Sequence, residues 1–476
     1  MYALFVRRQL RLRNQQVIGN ERSKGLSFLN QNKPTNMQQQ THYYELTASK
    51  FDWKLSETKT VHAWGFNQSV PGPVLRAKKG DTMVIKVNNE LDEPTVVHWH
   101  GIRLPASMDG TGEVQKPIEP GESFTYRFEL PDAGTFWYHS HHNETEQMER
   151  GMYGALIVED DSKIVTDAER VLMIDDMKLS KDDSFKRGNF IEQWKERHDG
   201  REGQTLLVNG QENYLIEMHE GQSERWRIIN ASSARYVTFY LGGKQFTLIG
   251  TDGGLIESPK KMTEMLLTPG ERIDIIVGPF KSGELFYIES LPYNRMTFLK
   301  AKHNAFATVR VKEEKPSIAY IPDQLTEIKA LADRNAAVTR KIKFSVGPSW
   351  KHGIDFLING EMHAHDAPIY INDLQVWEVA NTSLMDHPFH LHGFFFQVIE
   401  ENGKEPEFKS WKDTYNLKPR SKVKIAWIPD NRPGRWMYHC HILEHHEAGM
   451  MAHFEVIDRE KMPHTPQARH SCAHAQ

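Results

Sequence analysis

The segment from His439 to Met450 constrains this chain more than any other part, because it combines a thiol, several imidazoles and a thioether. Cys440, His445 and Met450 are the ligand types of a blue-copper electron-transfer site, which takes its second imidazole from elsewhere. Successive side chains of an extended strand point to opposite faces, so His439 and His441 face away from a metal that Cys440 binds. The segment therefore predicts a strand that joins an electron-accepting metal to a second metal centre.

Paired histidines elsewhere in the chain supply candidate ligands for that second centre. A single His-x-His pair is weak evidence, since two histidines on one strand face are more often surface or core residues. Besides His363 and His365, this chain has four such pairs, and one of the four straddles the cysteine. Together they favour a metal role. The pairs are His98 and His100, His139 and His141, His390 and His392, and His439 and His441, and His387 shortly precedes the third pair.

With these four segments the chain resembles the multicopper oxidases, a family that includes laccases and cuprous oxidases, over roughly residues 43 to 457. The resemblance implies a cofactor of four copper ions and assigns ligands by position within the motifs. His387, Cys440, His445 and Met450 correspond to type 1 copper ligands, His98 and His390 to type 2, His100, His139 and His441 to one type 3 ion, and His141, His392 and His439 to the other.

Short alternating or apolar runs between turn signals predict an all-β chain. The run Thr82 to Val87 follows the turn Lys79-Gly80-Asp81, and a similar turn at Glu220-Gly221-Gln222 leads into Trp226-Arg227-Ile228-Ile229-Asn230. This spacing and weak repetition are typical of related β-sandwiches. The family resemblance implies three cupredoxin-like Greek-key β-sandwich domains.

Composition and motif positions suggest boundaries for these domains. Three ranges are predicted to be sandwiches and three to be connections or ends: domain one 41–160, domain two 161–312, domain three 343–458, a linker 313–342, and a disordered arm 1–40 and tail 459–476. Domain two lacks a His-x-His pair and is predicted to bind no copper. The paired histidines then meet between domains one and three, and the type 1 site lies wholly in domain three.

Net charge, cysteine content and the length of apolar runs limit the partners and surroundings expected for this chain. A net charge of −4 gives no reason to expect nucleic-acid binding. The only cysteines are Cys440 and Cys472, so no disulfide framework is expected. No apolar run approaches the ~20 residues that span a membrane. The resemblance implies a monomer.

The N-terminus carries Arg7-Arg8 without the long apolar stretch of an export signal, so no signal peptide is readable. The resemblance implies a periplasmic or secreted protein. Either the true signal is missing and residues 1–40 contain the remnant of an export segment, or the chain stays inside the cell.

The resemblance implies that the paired histidines hold a copper cluster that reduces dioxygen. This reaction consumes protons, so a carboxylate is expected near the cluster. Asp109 is the candidate by resemblance, and the alternative is that it only caps the turn Met108-Asp109-Gly110. Many bacterial relatives carry a glutamate directly after the last type 1 histidine, where this chain has His446 followed by Glu447. Glu447 is therefore predicted to serve the proton route as a second catalytic residue, and His446 is the alternative.

The electron donor is predicted to be a phenol or an aromatic amine, as in laccases. The alternative is a cuprous or other metal ion, as in copper-tolerance oxidases, since Met385 and Asp386 precede His387 and could bind a soft cation. A copper-free structural member of the fold is a distant alternative, because none of the ligand positions is missing. A two-domain nitrite reductase or a blue-copper carrier would not need all four paired segments.

Several further histidines match no copper motif. His363-Ala364-His365 has ligand spacing but is interpreted as a surface loop, and His142 and His453 are expected to pack or face solvent. The histidines of the tail are interpreted as disordered.

Overall fold

The computed structural model of the chain describes residues 39–180, 185 and 189–461. Strands dominate these residues, so the all-β prediction is confirmed. The strands form six sheets, which belong to three cupredoxin-like domains. The helices of the described residues are short: α1 (Glu144–Gln147), α2 (Phe190–Asp199), α3 (Leu443–Glu447), and 3-10 turns at Ala106–Met108 and Arg459–Lys461.

Domain one contains two four-stranded sheets with the orders β2-β1-β4-β6 and β3-β8-β7-β5. Its strands are β1 (Thr41–Lys54), β2 (Thr60–Phe66), β3 (Gly72–Lys78), β4 (Thr82–Asn89), β5 (Val97–His100), β6 (Ser123–Glu129), β7 (Gly134–Ser140) and β8 (Tyr153–Glu159). Burial alternates along β6, where Tyr126 and Phe128 are buried between exposed neighbours. One face of this strand therefore packs on the core while the other meets solvent.

Domain two contains two larger sheets with the orders β10-β9-β12-β17-β14-β15 and β11-β19-β18-β13-β16. Its strands are β9 (Ala168–Met177), β10 (Thr205–Val208), β11 (Tyr214–Glu220), β12 (Glu224–Asn230), β13 (Val237–Tyr240), β14 (Phe246–Thr251), β15 (Gly254–Met262), β16 (Glu264–Leu267), β17 (Arg272–Val277), β18 (Leu285–Leu291) and β19 (Asn304–Glu314). Helix α2 lies between β9 and β10. It begins in a capping box, in which Asn189 accepts from the Glu192 backbone and the Glu192 side chain accepts from Asn189.

Domain three has the sheet orders β21-β20-β24-β28-β26 and β22-β30-β29-β25-β27, and β23 also pairs with β30. Its strands are β20 (Arg340–Ser349), β21 (Gly353–Ile358), β22 (Ala364–His365), β23 (Ile369–Tyr370), β24 (Gln375–Asn381), β25 (His387–Leu391), β26 (Gln397–Glu401), β27 (Thr414–Leu417), β28 (Ser421–Trp427), β29 (Gly434–Cys440) and β30 (Met451–Ile457).

Domains one and three share one continuous apolar core. It contains Trp99 and Tyr126 of domain one together with Trp377 and Trp436 of domain three. The sheets of domain two enclose a separate core around Trp226. Because burial of large aromatic groups holds domains one and three together, β5 and β7 lie close to β25 and β29.

The predicted connections differ from the structure in detail. The range 313–342 includes the end of β19 and the start of β20, and although it is mostly exposed, Ile328 within it is buried. Gln40, in the predicted arm, donates from its backbone to Asp81. Residues 1–38 and the tail from residue 462, with Cys472 and the tail histidines, lie outside the described residues. The boundaries of the domains stay predictions.

Candidate metal centres

Two strand pairs bring the paired histidines together. In domain one, β5 runs antiparallel to β7 with His98 opposite His139. In domain three, β25 runs antiparallel to β29 with His390 opposite His439. The period of two along each strand then places the second histidine of each pair beside the first.

The eight paired histidines form one buried cluster between the two domains. His100 stacks on His390 at 3.9 Å between ring centroids, and the rings of His98 and His392 lie 4.0 Å apart. All eight side chains are shielded from solvent. Burial lowers the pKa of His98, His100 and His390 well below the usual range, so these rings are neutral and can bind a cation.

Six of the eight rings donate one N–H to an oxygen acceptor, which fixes the tautomer. The pairs are His98 Nδ1 with the Asp109 carbonyl at 2.7 Å, His100 Nε2 with Asp413 Oδ1 at 3.1 Å, His139 Nδ1 with the Ser140 carbonyl at 2.9 Å, His390 Nδ1 with the Asp413 carbonyl at 3.0 Å, His392 Nδ1 with Asp109 Oδ2 at 2.9 Å, and His439 Nδ1 with the Cys440 carbonyl at 2.9 Å.

Ring nitrogens of the cluster gather in sets of three that lie within 4.8 Å of one another, such as those of His98, His100 and His139. Several have no hydrogen-bond partner among the described residues: His98 Nε2, His100 Nδ1, His139 Nε2, His141 Nε2, His390 Nε2 and both nitrogens of His441. Buried polar atoms are nearly always partnered, and leaving one unpaired costs about 1–3 kcal/mol. The number of unpartnered ring nitrogens in this cluster is therefore what bound metal ions would explain. Imidazole is a suitable ligand for copper.

An ion pair from domain two supports this cluster. Arg272 on β17 donates to both carboxylate oxygens of Asp413, at 2.7 and 2.6 Å, and neither side chain is exposed by more than 1%. Asp413 in turn holds His100 and His390. Gly101 leaves room for this pair, because a Cβ there would lie 2.4 Å from Arg272 Nη2 at a φ of +87°. No local sequence pattern indicates Arg272 or Asp413, because the pair joins residues from two domains.

Asp109 contacts the cluster from the side of domain one. Besides its carbonyl bond to His98, its Oδ2 accepts from His392, and its buried Oδ1 has no partner among the described residues. Burial raises the pKa of Asp109 to about 7. Asp109 therefore lies beside the cluster, and it can hold a proton at neutral pH.

A different acid lies where Glu447 was expected. Glu447 is exposed, and its carboxylate accepts from the backbone and hydroxyl of Thr145. The buried carboxylate of Glu144 instead lies 2.9 Å from His141 Nδ1 and accepts from His446 Nδ1 at 2.9 Å. His446 stacks on His439 at 4.2 Å. The sequence signal for Glu144 was its position three residues after His141.

The thiol site lies in domain three. Sγ of Cys440 is 3.5 Å from His387 Nδ1 and 3.6 Å from His445 Nδ1, and these two nitrogens are 3.2 Å apart. Met450 is fully buried, and its carbonyl accepts from the Cys440 backbone N–H. Burial raises the pKa of the Cys440 thiol, so a cation in this triangle is needed to favour the thiolate.

The outer edges of both imidazoles at the thiol site are covered. His445 Nε2 donates to the His198 carbonyl of α2 at 3.0 Å, and Phe356 stacks on the His445 ring at 4.1 Å. His387 Nε2 lies 3.0 Å from the Ser383 hydroxyl. These contacts orient the rings and keep water from the triangle. Domain two thus contributes α2 and Arg272 to sites whose candidate ligands lie in the other domains.

Comparison with known proteins agrees with this geometry. Residues 47–163, 169–314 and 333–460 each match a family described as Multicopper oxidase. The multicopper oxidase mco of Staphylococcus aureus is 32% identical over 87% of this chain and 88% of its own. The laccase of Bacillus subtilis is 26% identical over 90% of this chain and 97% of its own.

Among solved structures, a Campylobacter jejuni multicopper oxidase described as a metallo-oxidase superposes with a TM-score of 0.78 and 31% identity. The match covers 87% of this chain and 91% of that one. The chain therefore belongs to the multicopper oxidase family. It is an oxidoreductase that reduces dioxygen, and the family implies copper at the histidine clusters. Among the described residues, no helix has the length and apolar character that a membrane crossing requires.

Proposed function

We propose that this protein is a laccase-like oxidase, which takes single electrons from a phenol or an aromatic amine and reduces dioxygen to water. The observation that supports this most is the strand end His439-Cys440-His441. Cys440 belongs to the thiol triangle, while its two neighbours lie in the eight-histidine cluster. An electron that enters at the triangle therefore reaches the cluster through one residue on either side.

The ligand roles follow the family assignment. We propose type 1 ligation by His387, Cys440, His445 and Met450, type 2 by His98 and His390, and type 3 by His100, His139 and His441 for one ion and His141, His392 and His439 for the other. The set His141, His392 and His439 is one whose donor atoms lie within 4.8 Å of one another. Copper, when bound, supplies one-electron transfer at the thiolate and dioxygen reduction at the cluster.

Protons reach the cluster through its own carboxylates in this proposal. Asp109 holds a proton on the carboxyl that contacts His392, and its unpartnered Oδ1 is free to pass that proton on. Glu144 orients His141 and His446 on the other side. Glu447 stays a predicted member of the proton route, and its bond to Thr145 places it further out.

The donor is proposed to bind in a cavity of about 500 Å³ in domain two, beside the thiol site. Its wall includes Tyr236 and Tyr293, whose rings are parallel with centroids 5.6 Å apart. The Tyr293 hydroxyl donates to Asp386 Oδ1 at 2.9 Å, and Asp386 directly precedes His387. An aromatic donor that packs on these rings lies at the end of a short bonded path to the triangle.

A metal-ion donor is the second candidate. Asp386 Oδ2 is buried and has no partner among the described residues, and the neighbouring Met385 is buried too. A carboxylate oxygen beside a thioether could take up a cuprous ion. The similarity to a metallo-oxidase is compatible with this alternative.

The test is the visible spectrum of copper-loaded protein, followed by dioxygen uptake with a phenol and with Cu(I) in parallel. A blue absorption that the C440S variant lacks, with faster uptake on the phenol, supports the proposal. Faster uptake on Cu(I), with a loss in D386N that the phenol reaction does not share, favours the metal oxidase. A colourless, inert protein after copper loading contradicts both and favours the copper-free member of the fold.

A further inference from the structure

Two histidines and a glutamate that the proposed copper scheme leaves unused gather at one edge of domain three. Strand β22 runs parallel to β30, and His365 lies directly opposite His453. Paired residues of neighbouring strands direct their side chains to the same face of a sheet. The rings of His365 and His453 accordingly stack at 5.5 Å between centroids. The sequence analysis interpreted His365 as part of a surface loop and expected His453 to pack or face solvent.

The environment of His453 is unusual for a packing residue. Its side chain is only 3% exposed, and neither ring nitrogen has a hydrogen-bond partner among the described residues. Buried imidazole nitrogens are nearly always partnered, so this ring calls for a ligand or an ordered water. His365, which stacks on this ring, is exposed, so the pair lies at the surface of the sheet.

A carboxylate faces the same ring at a distance typical of two ligands on one ion. Glu113 Oε1 lies 3.6 Å from His453 Nε2, which is too long for a hydrogen bond. Two ligand atoms about 2.0–2.1 Å from one tetrahedral ion lie roughly 3.3–3.4 Å apart. Arg435 donates to the other oxygen, Oε2, at 3.1 Å and so fixes the carboxylate with Oε1 toward His453.

We infer that His365, His453 and Glu113 bind one divalent cation of the Zn²⁺ or Cu²⁺ class. Two imidazoles and a carboxylate suit such borderline ions better than Mg²⁺ or Ca²⁺, which prefer oxygen ligands. This site is separate from the twelve proposed copper ligands and goes beyond the proposed oxidase function. The exposed His365 side chain can adjust its rotamer to the ion.

The test uses the full-length, copper-loaded enzyme and Zn²⁺ alone as the probe. Equilibrium dialysis with metal analysis by mass spectrometry should find one zinc per chain in addition to the copper, with no copper released. The H365A variant should bind this zinc at least about tenfold more weakly, and E113Q should follow it. H62A is the matched control, because His62 is also an exposed histidine beside an acid, Asp52.

A second measurement removes dependence on the variants. Anomalous diffraction at the zinc edge should place the ion between His365 and His453. Three outcomes overturn the inference: no additional zinc, zinc uptake that H365A and H62A leave equally unchanged, or zinc uptake matched by copper release. The copper content and blue absorption of each variant show that the copper sites are intact.

Discussion

Asp413 offers the sharpest test of how the histidine cluster is held. The D413N substitution leaves the fully buried Arg272 without its bidentate carboxylate and leaves His100 without a charged acceptor. Breaking a buried ion pair by removing one partner costs about 3–5 kcal/mol. Asp252 still lies 3.6 Å from Arg272, so we expect a loss near the lower end, about 3 kcal/mol. Loss of an outer-shell acceptor should weaken copper binding at the cluster by about 10–100-fold.

Urea unfolding of the apo-protein measures the loss of stability, and chelator competition measures the copper affinity of the cluster. The blue absorption of the holoenzyme reports on the thiol site. The blue absorption should persist, because Asp413 contacts none of the thiol-site ligands in the described residues. D430N is the matched control: Asp430 also pairs with arginine, in its case Arg103 and Arg432, but it is one-third exposed and holds no histidine. Its loss should be about 1 kcal/mol or less. A D413N variant with the urea midpoint and cluster copper affinity of the wild type would refute this reasoning.

Three further predictions test the proton route and donor access. E144Q should slow reoxidation of the reduced enzyme by dioxygen on the order of a hundredfold, while anaerobic reduction of the blue site stays unchanged. E447Q should reoxidise at the wild-type rate. The reverse result in stopped-flow measurements would assign the proton route to Glu447. Burial raises the pKa of Asp109 from 3.8 to about 7, so between these two pH values the folded apo-protein keeps a proton that the unfolded chain releases. The free energy of unfolding should therefore fall as the pH rises through this range, by up to about 1.4 kcal/mol per pH unit. Urea midpoints of D109N should lack this loss between about pH 5 and about pH 8, and an identical slope in both proteins would contradict the shift. K195P should break α2 and lower the free energy of unfolding by about 3 kcal/mol. The break should uncover His445 and raise kcat/KM for bulky phenols, whereas K195A should do neither. Equal rates in the two variants would mean that α2 does not limit donor access to His445.

Local sequence patterns predicted the features that depend only on neighbouring residues, such as the alternation of buried and exposed side chains along a strand. The alternation around residues such as Tyr126 and Phe128 follows from the period of a strand, and it needs no knowledge of distant contacts. The opposition of Cys440 to its neighbours follows from the same geometry. The approach of Asp109 to His98 and His392 was expected only through the resemblance.

Long-range contacts were beyond such patterns. Glu144 lies 302 positions from His446, and Arg272 lies 141 positions from Asp413, so neither partner is visible in a local window. Glu447 was chosen because it is next to His446 in sequence, but α3 directs it to the surface and Thr145. The same limit hid the approach of Glu113 to His453, which only the packing of domain one against domain three produces.

By itself, the sequence determined the chemistry: twelve candidate ligands, their alternation on strands, and a chain of short strands that could only bury their apolar faces by pairing. The tertiary structure decided which atoms of those ligands are free. A hydrogen bond from one ring nitrogen leaves the lone pair of the other nitrogen for a metal. His139 and His439 use the carbonyl of the next residue as acceptor, whereas His100 and His392 use carboxylates of another domain, Asp413 and Asp109. Those acceptors, and the carboxylates that hold protons, depend on distances between residues far apart in the chain, which packing sets and composition does not.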